Sequence, residues 1–290
     1  MGYKIAKYIN VNGILMDLEL PRVMGILNVT PDSFYAGSRK QTEEEILRMA
    51  RQIAEEGGEI IDIGAYSSRP GAAHIPAEEE AARLKTALTL LNREMPEAVI
   101  SVDTFRADIA RMCVEEYGAA MINDISAGGM DKDMMPTVAR LGVPYVMTHI
   151  KGTPQDMQEN PEYDNVVTEV MYYLSEKVYK MRDLGAKDLI IDPGFGFGKT
   201  LEHNYALMGK LEEFQIFDLP ILVGVSRKSM IYNLLGNSPE DALNGTTALN
   251  VISLMKGANI LRVHDVKEAC EAVKIFNAMP AKSIPQTLAR

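Results

Sequence analysis

The chain has 290 residues, 47% hydrophobic and 24% charged, an ordinary balance that excludes disordered and collagen-like classes. A formal net charge of -10 argues against a nucleic-acid binder, which needs a basic face to displace counterions, so any anionic substrate must be held by local cations. No apolar run reaches the ~18 residues of a membrane helix, and MGYKIAKYIN lacks the apolar core of a secretory signal, so the cytoplasm is the expected location.

Residues 3 to 20 read as two short strands around Asn12-Gly13, a strong hairpin signal, and this hairpin is expected to cap a barrel floor. From Arg22 onward, apolar runs start near residues 22, 58, 98, 119, 143, 188, 220 and 259, separated by segments of helical character. The runs are nearly continuous in Val, Ile and Leu, as parallel strands covered on both faces require. Eight such units predict an α/β fold, a (β/α)8 TIM barrel, in preference to an open doubly wound sheet. One domain is expected over 1-290, with the hairpin at 1-21 and the barrel at 22-290.

The first helix illustrates the pattern. Thr42 and Glu45 resemble a capping box, Ile46, Met49, Ala50 and Ile53 recur at helical spacing, and Gly57 closes the helix. Residues 77 to 94, 105 to 117, 162 to 184 and 241 to 257 behave similarly. Cys113 and Cys270 lie far apart inside helical patterns and read as unpaired thiols.

Two motifs mislead. PGFGFGKT at 193 to 200 approaches a phosphate-binding P-loop but has Pro193 where that loop needs glycine, so its glycines suit a tight turn above a strand end. GVSRK at 224 to 228 starts like a nucleophile elbow but ends in Lys228 instead of glycine, which removes the case for a serine hydrolase.

A barrel of this kind carries its site at the carboxyl ends of its strands. The polar residues expected there are Asn28, Ser68, Arg69, Asp103, Asn123, Asp192, Lys228, Arg262 and His264. Each has a duller alternative: Asp103 as a helix cap, Asn123 on loop backbone, Asp192 holding the turn before Pro193, Arg262 paired with an acid at the rim. Their coincidence at one face is what those alternatives leave unexplained. Asp103, Asn123 and Asp192 suit a flat heterocycle rich in N–H donors, and Arg69, Lys228, Arg262 and His264 suit a phosphorylated or carboxylated group. Asn28 offers an uncharged oxygen acceptable to Mg2+, and Ser229, where a helix should begin, suits a carboxylate.

At these residues the chain resembles the dihydropteroate synthase family. NVTPDSF, SSRPGA, VDT, INDIS, IDPGFGFGK, SRKS and RVHD match its motifs in order from Arg22 to Asp265. The resemblance implies condensation of 6-hydroxymethyl-7,8-dihydropterin pyrophosphate with p-aminobenzoate, in folate biosynthesis, with sulfonamides as competitors. It implies pterin binding by Asp103, Asn123, Asp192 and Lys228, and pyrophosphate binding by Asn28, Ser68, Arg69, Arg262 and His264, with Mg2+ at Asn28. It further implies a p-aminobenzoate pocket of Phe34, Arg69, Pro70, Lys228 and Ser229, catalysis carried by Arg69, Lys228, Arg262 and His264, and a homodimer.

The chain departs from the family's usual pattern after Phe34, where it reads Tyr35-Ala36-Gly37-Ser38 in place of SDGG, and over Gly64 to Gly71, where the usual GESTRPG has Glu replaced by Tyr66 or its neighbour and Thr by Ser68. Loops 29 to 40 and 65 to 75 are expected to be mobile without both substrates. A corrinoid-dependent methyltransferase domain and a non-catalytic pterin-binding homologue are the rival readings.

Overall fold

The structure, a computed structural model, describes residues 7–30, 39–67 and 74–279. Strands β1 (Tyr8–Val11) and β2 (Ile14–Asp17) form the antiparallel hairpin. Asn12 and Gly13 at its turn have φ of 51° and 86°, the left-handed pair that a two-residue hairpin turn demands. Ile9, Val11 and Leu18 pack against Met24, Ile60, Met121, Val146, Ile190 and Ile260, residues at or near the starts of barrel strands. The hairpin thus plugs the floor, as expected.

The barrel strands are β3 (Arg22–Asn28), β4 (Ile60–Gly64), β5 (Ile100–Asp103), β6 (Met121–Asp124), β7 (Tyr145–Thr148), β8 (Leu189–Asp192), β9 (Leu222–Val223) and β10 (Ile260–Val263). They pair in parallel from β3 to β8 in chain order, and β10 pairs with both β3 and β9. A parallel bridge between Ile191 and Ile221, with Ile191 N donating to Pro220 O at 3.0 Å, closes the ring. Strands β4, β6, β7 and β8 are buried along their whole length, which explains why apolar residues lead each of them, with Asp62 in β4 the one charge in mid-strand.

The outer helices are α1 (Arg39–Glu55), α2 (Ala77–Glu94), α3 (Ala107–Tyr117), α4 (Met134–Leu141), α5 (Val166–Asp183), α6 (Leu201–Gly209), α7 (Ser229–Leu235), α8 (Leu243–Met255) and α9 (Val266–Ala278), with a 3-10 helix over Leu211–Phe217. Leu84, Leu88 and Leu91 of α2 are fully buried in the strand–helix layer, each contributing roughly 1.5–3 kcal/mol of apolar burial.

Two expectations need correction. Helix α1 begins at Arg39, so Thr42 lies inside it and is no cap. The capping box occurs instead at α6, where Thr200 Oγ1 accepts from His203 N at 3.2 Å and Thr200 N donates to His203 Nδ1 at 3.3 Å. Histidine replaces the usual Glu or Gln at the third position, which hides the motif from a pattern search. Helix α5 starts at Val166, later than residue 162, because Asn165 caps it by accepting from Thr168 N at 3.1 Å. Cys113 and Cys270 are both unpaired, and burial pushes the Cys113 thiol up to about 12.

Candidate active site at the mouth of the barrel

Register places the first polar residues at one level. Asn28 pairs with Gly64, Gly64 with Asp103, and Asp103 with Asn123 across three adjacent strand pairs. A Cβ on Gly64 would stand 3.4 Å from Asn28 Oδ1 and 3.8 Å from Asp103 Oδ2, so the glycine leaves room between those two polar tips.

Arg262 crosses the barrel interior. Its Nε donates to Asp62 Oδ2 at 2.6 Å and its Nη2 to Asp103 Oδ2 at 2.7 Å. Asn123 Nδ2 donates to the same Asp62 oxygen at 3.0 Å. Asp62 is fully buried and its Oδ1 has no hydrogen-bond partner, an acceptor left facing a polar interior. Burial pushes the Asp103 carboxyl up to about 7, Arg262 opposing the rise and Asp62 adding to it.

Asp192, 5% exposed, ends β8 and accepts from Gly194 N at 2.8 Å. Burial raises its pKa, and the Lys228 charge pulls the other way. Strand β9 stops at Val223, so Lys228 reaches the mouth from a loop, as the residue preceding α7. Its Nζ donates to Phe195 O at 2.5 Å and lies 4.5 Å from the centre of the Phe197 ring. Burial pushes this amine down to about 8, with Asp192 opposing. Ser229 opens α7, as the sequence suggests.

His264 follows β10 and is exposed, with Nδ1 3.2 Å from Ser226 Oγ and its backbone N donating to that oxygen at 3.1 Å. Between Ser226 and Lys228, Arg227 adopts φ 52°, a left-handed backbone that non-glycine residues rarely hold unless the surroundings fix it. Here they do. Its guanidinium grips Asp265 at 2.8 and 2.9 Å and donates to Pro239 O at 2.9 Å and Glu240 O at 2.7 Å.

Asn28, Asp103, Asn123, Asp192, Lys228, Ser229, Arg262 and His264 therefore all stand at strand ends or on the loops just beyond them. Phe34, Ser68, Arg69 and Pro70 lie outside the described residues, as do most of loops 29 to 40 and 65 to 75. The duller alternatives divide. Asp103 is no cap, since α3 is preceded by Arg106 without a side-chain cap bond, and Asn123 bonds Asp62 instead of loop backbone. Asp192 does hold its turn, and Arg262 does pair with acids, two of them and inside the barrel. Asp62 is absent from the residues expected on sequence grounds, although a lone charge in the buried run IIDIG was its signal.

Tyr66 is held by Gln155 Nε2 at 2.8 Å and His74 Nδ1 at 3.2 Å, and its ring meets Phe105 edge-on at 5.1 Å. Nearby, Arg106 binds the fully buried Glu80 and donates to Ile75 O at 2.7 Å. These contacts brace the stem of the β4–α2 loop.

Known proteins place this arrangement. Residues 24–264 match the family model of pterin binding enzymes. The dihydropteroate synthase of Escherichia coli strain K12 is 44% identical over 268 residues, 92% of this chain and 94% of its own. The Yersinia pestis dihydropteroate synthase with a sulfonamide drug superimposes with a TM-score of 0.87 at 39% identity, over 93% of this chain and 98% of that one. The Xanthomonas albilineans dihydropteroate synthase with 4-aminobenzoic acid gives 0.87 at 38% identity, over 95% and 100%. The barrel and its polar mouth are those of a pterin-binding enzyme. Within that class, the chain belongs to the dihydropteroate synthase family.

Proposed function

We infer that the protein condenses 6-hydroxymethyl-7,8-dihydropterin pyrophosphate with p-aminobenzoate, giving 7,8-dihydropteroate and pyrophosphate in folate biosynthesis. The observation that carries the chemistry is the Asp62–Arg262–Asp103 bridge, with Asn123 beside it, set deep in a barrel of this family. Carboxylate and amide groups desolvated there read the N–H edge of a pterin ring far more strongly than they would in water. Arg262 has one face committed to the two acids, while Nη1 makes no hydrogen bond among the described residues. That nitrogen supports a contact of Arg262 with the departing pyrophosphate, and His264 at the exposed lip supplies a second donor.

Bond breaking leaves negative charge on pyrophosphate and positive charge delocalised over the dihydropterin methylene. Arg262, His264 and Arg69 are proposed to stabilise the first. The weakly basic aromatic amine then attacks, its carboxylate held near Ser229, so that positioning supplies much of the rate. Lys228 lies over the Phe197 ring and within the field of Asp192, a place that supports its contact with both substrates.

A Mg2+ site at Asn28 belongs to the same proposal. Among the described residues, nothing hydrogen-bonds the Asn28 side chain, and no group of three or more His, Cys, Asp or Glu forms a cage for a metal. A single protein oxygen fits an ion that keeps its waters and takes its other ligands from phosphate. When bound, Mg2+ would neutralise charge on the leaving group.

Exposed Leu234 and Leu235 on α7 and Ile252 and Met255 on the neighbouring α8 support a homodimer through outer helices, to be tested by sedimentation. The two unpaired thiols suit a reducing compartment, the cytoplasm, which cell fractionation checks. The test of the reaction is incubation of purified protein with Mg2+ and both substrates. Dihydropteroate formation that a sulfonamide suppresses competitively against p-aminobenzoate is the expected result, and no product would sink the reading.

A further inference from the structure

The loop from Pro193 to Lys199 joins β8 to α6 and carries five successive carbonyls, Gly194 to Gly198, each accepting a bond from a side chain. Lys199 Nζ donates to Gly194 O at 2.8 Å and to Phe197 O at 2.9 Å. Lys228 Nζ donates to Phe195 O at 2.5 Å, Gln158 Nε2 to Gly196 O at 2.6 Å, and Tyr163 OH to Gly198 O at 2.8 Å. The remaining donor of Lys199 reaches His149 Nδ1 at 2.9 Å. Lys199 is only 3% exposed. Burial, with the Lys199 charge beside it, pushes His149 down to about 2, so the imidazole is neutral and offers a lone pair.

An ammonium has three donors and no acceptor, and this site presents three acceptors. The loop packs closely on its surroundings: Gly194 has φ 72°, and a Cβ on it would lie 1.9 Å from His149 O. Two substrate-side groups depend on that placement. Asp192 is oriented by Gly194 N–H, and the Lys228 amine is held by the Phe195 carbonyl and the Phe197 ring.

We propose that Lys199 is a positioning residue of the reaction: by fixing the Gly194 and Phe197 carbonyls it sets where Asp192 and Lys228 meet the substrates, without touching either substrate itself. The role of Lys199 rests on the condensation proposed for the barrel mouth.

The decisive variant is Lys199→Met, which keeps an unbranched apolar stem and removes all three donors. Three charged groups bear on Lys228, Asp192 from β8, Asp103 from β5 and Arg262 from β10, while burial pushes the neighbouring Lys199 amine well below the ordinary lysine range. Activity that needs a charged Lys228 falls above about pH 8 in the parent. In the variant the loosened loop lets water reach the Lys228 amine and relieves the burial that lowers it, so this alkaline limb should move upward. Amide exchange at Gly194, Gly196 and Phe197 should rise, and kcat/KM for p-aminobenzoate should fall by about tenfold or more, one order corresponding to about 1.4 kcal/mol. Lys199→Gln, with two donors, should recover part of each change. An unshifted alkaline limb with unchanged exchange overturns the proposal, even if activity drops with stability. Should Lys199→Met fail to fold, Lys199→Gln carries the test by itself, and a parental alkaline limb with parental exchange in that variant counts equally against the proposal. A parent protein without turnover would refute the condensation instead, and amide exchange in the variant would still test the loop.

Discussion

In the proposed role Asp103 carries two demands that pull against each other: it would accept from a pterin ring, yet it is buried beside Asp62. Its folded pKa of about 7 lies above the ordinary value of 3.8, so the folded state holds the proton more tightly. By linkage, this group favours folding most below about pH 4, and that contribution is lost as pH rises through about 7. Ring binding runs the opposite way, because N–H donors need the ionised carboxylate. Pterin affinity should therefore strengthen as pH rises through about 7 and level off above it, a titration that calorimetry can follow and that Asp103→Asn should flatten. Asp103→Ala should cost ~2 kcal/mol or more of pterin binding. Arg262→Met acts on stability first, since it leaves two buried carboxylates without their cation. A loss of about 3–5 kcal/mol in urea unfolding is expected, against little change if the acids were independently solvated.

At the level of elements, the β9–α7 loop depends on Arg227. Its fork ties that loop to Asp265 after β10 and to the backbone at Pro239 and Glu240, so Lys228 and His264 are presented from one braced unit. Lys cannot reproduce a planar two-point grip on a carboxylate. Arg227→Lys should lower kcat at least tenfold and also weaken pterin binding, because the same loop presents Lys228, and unaltered kcat and Kd would show the brace to be dispensable.

Strand starts were legible to within two residues because buried parallel strands write themselves as Val, Ile and Leu runs. Polar residues at or just beyond the ends of β3, β5, β6, β8, β9 and β10 were legible as well, whereas Ser68 and Arg69, expected beyond β4, lie outside the described residues. Other features were hidden for physical reasons. Thr42 mimics a cap because a capping pattern is local, whereas the start of α1 is not set by it. Asp62 sits in mid-strand, where only the cross-barrel partner Arg262 gives it meaning, and Lys199 looks like the tail of a phosphate loop until His149 is brought to it through the fold. Contacts between residues as distant as Asp62 and Arg262 leave no periodic trace in a chain.

For the whole molecule, floor and mouth are separate. The hairpin seals the amino-terminal end through Ile9, Val11 and the fully buried Leu18, while the polar groups gather at the other end. Leu18→Ala should cost about 2–5 kcal/mol of stability, as a buried leucine does, and leave KM for both substrates nearly unchanged in the folded fraction. A raised KM would show that floor packing reaches the site. The acidic net charge of -10 surrounds a mouth furnished with Lys228 and Arg262, and in the proposed reaction such local cations, set against the overall field, would hold the anionic substrate.

The claim that the mouth joins two substrates is tested most directly by following pyrophosphate and dihydropteroate together in one reaction with Mg2+. Release of both in equal amounts, only when p-aminobenzoate is present and abolished in Asp103→Ala, is the expected result. Pterin pyrophosphate that binds yet yields no dihydropteroate on addition of p-aminobenzoate would contradict it.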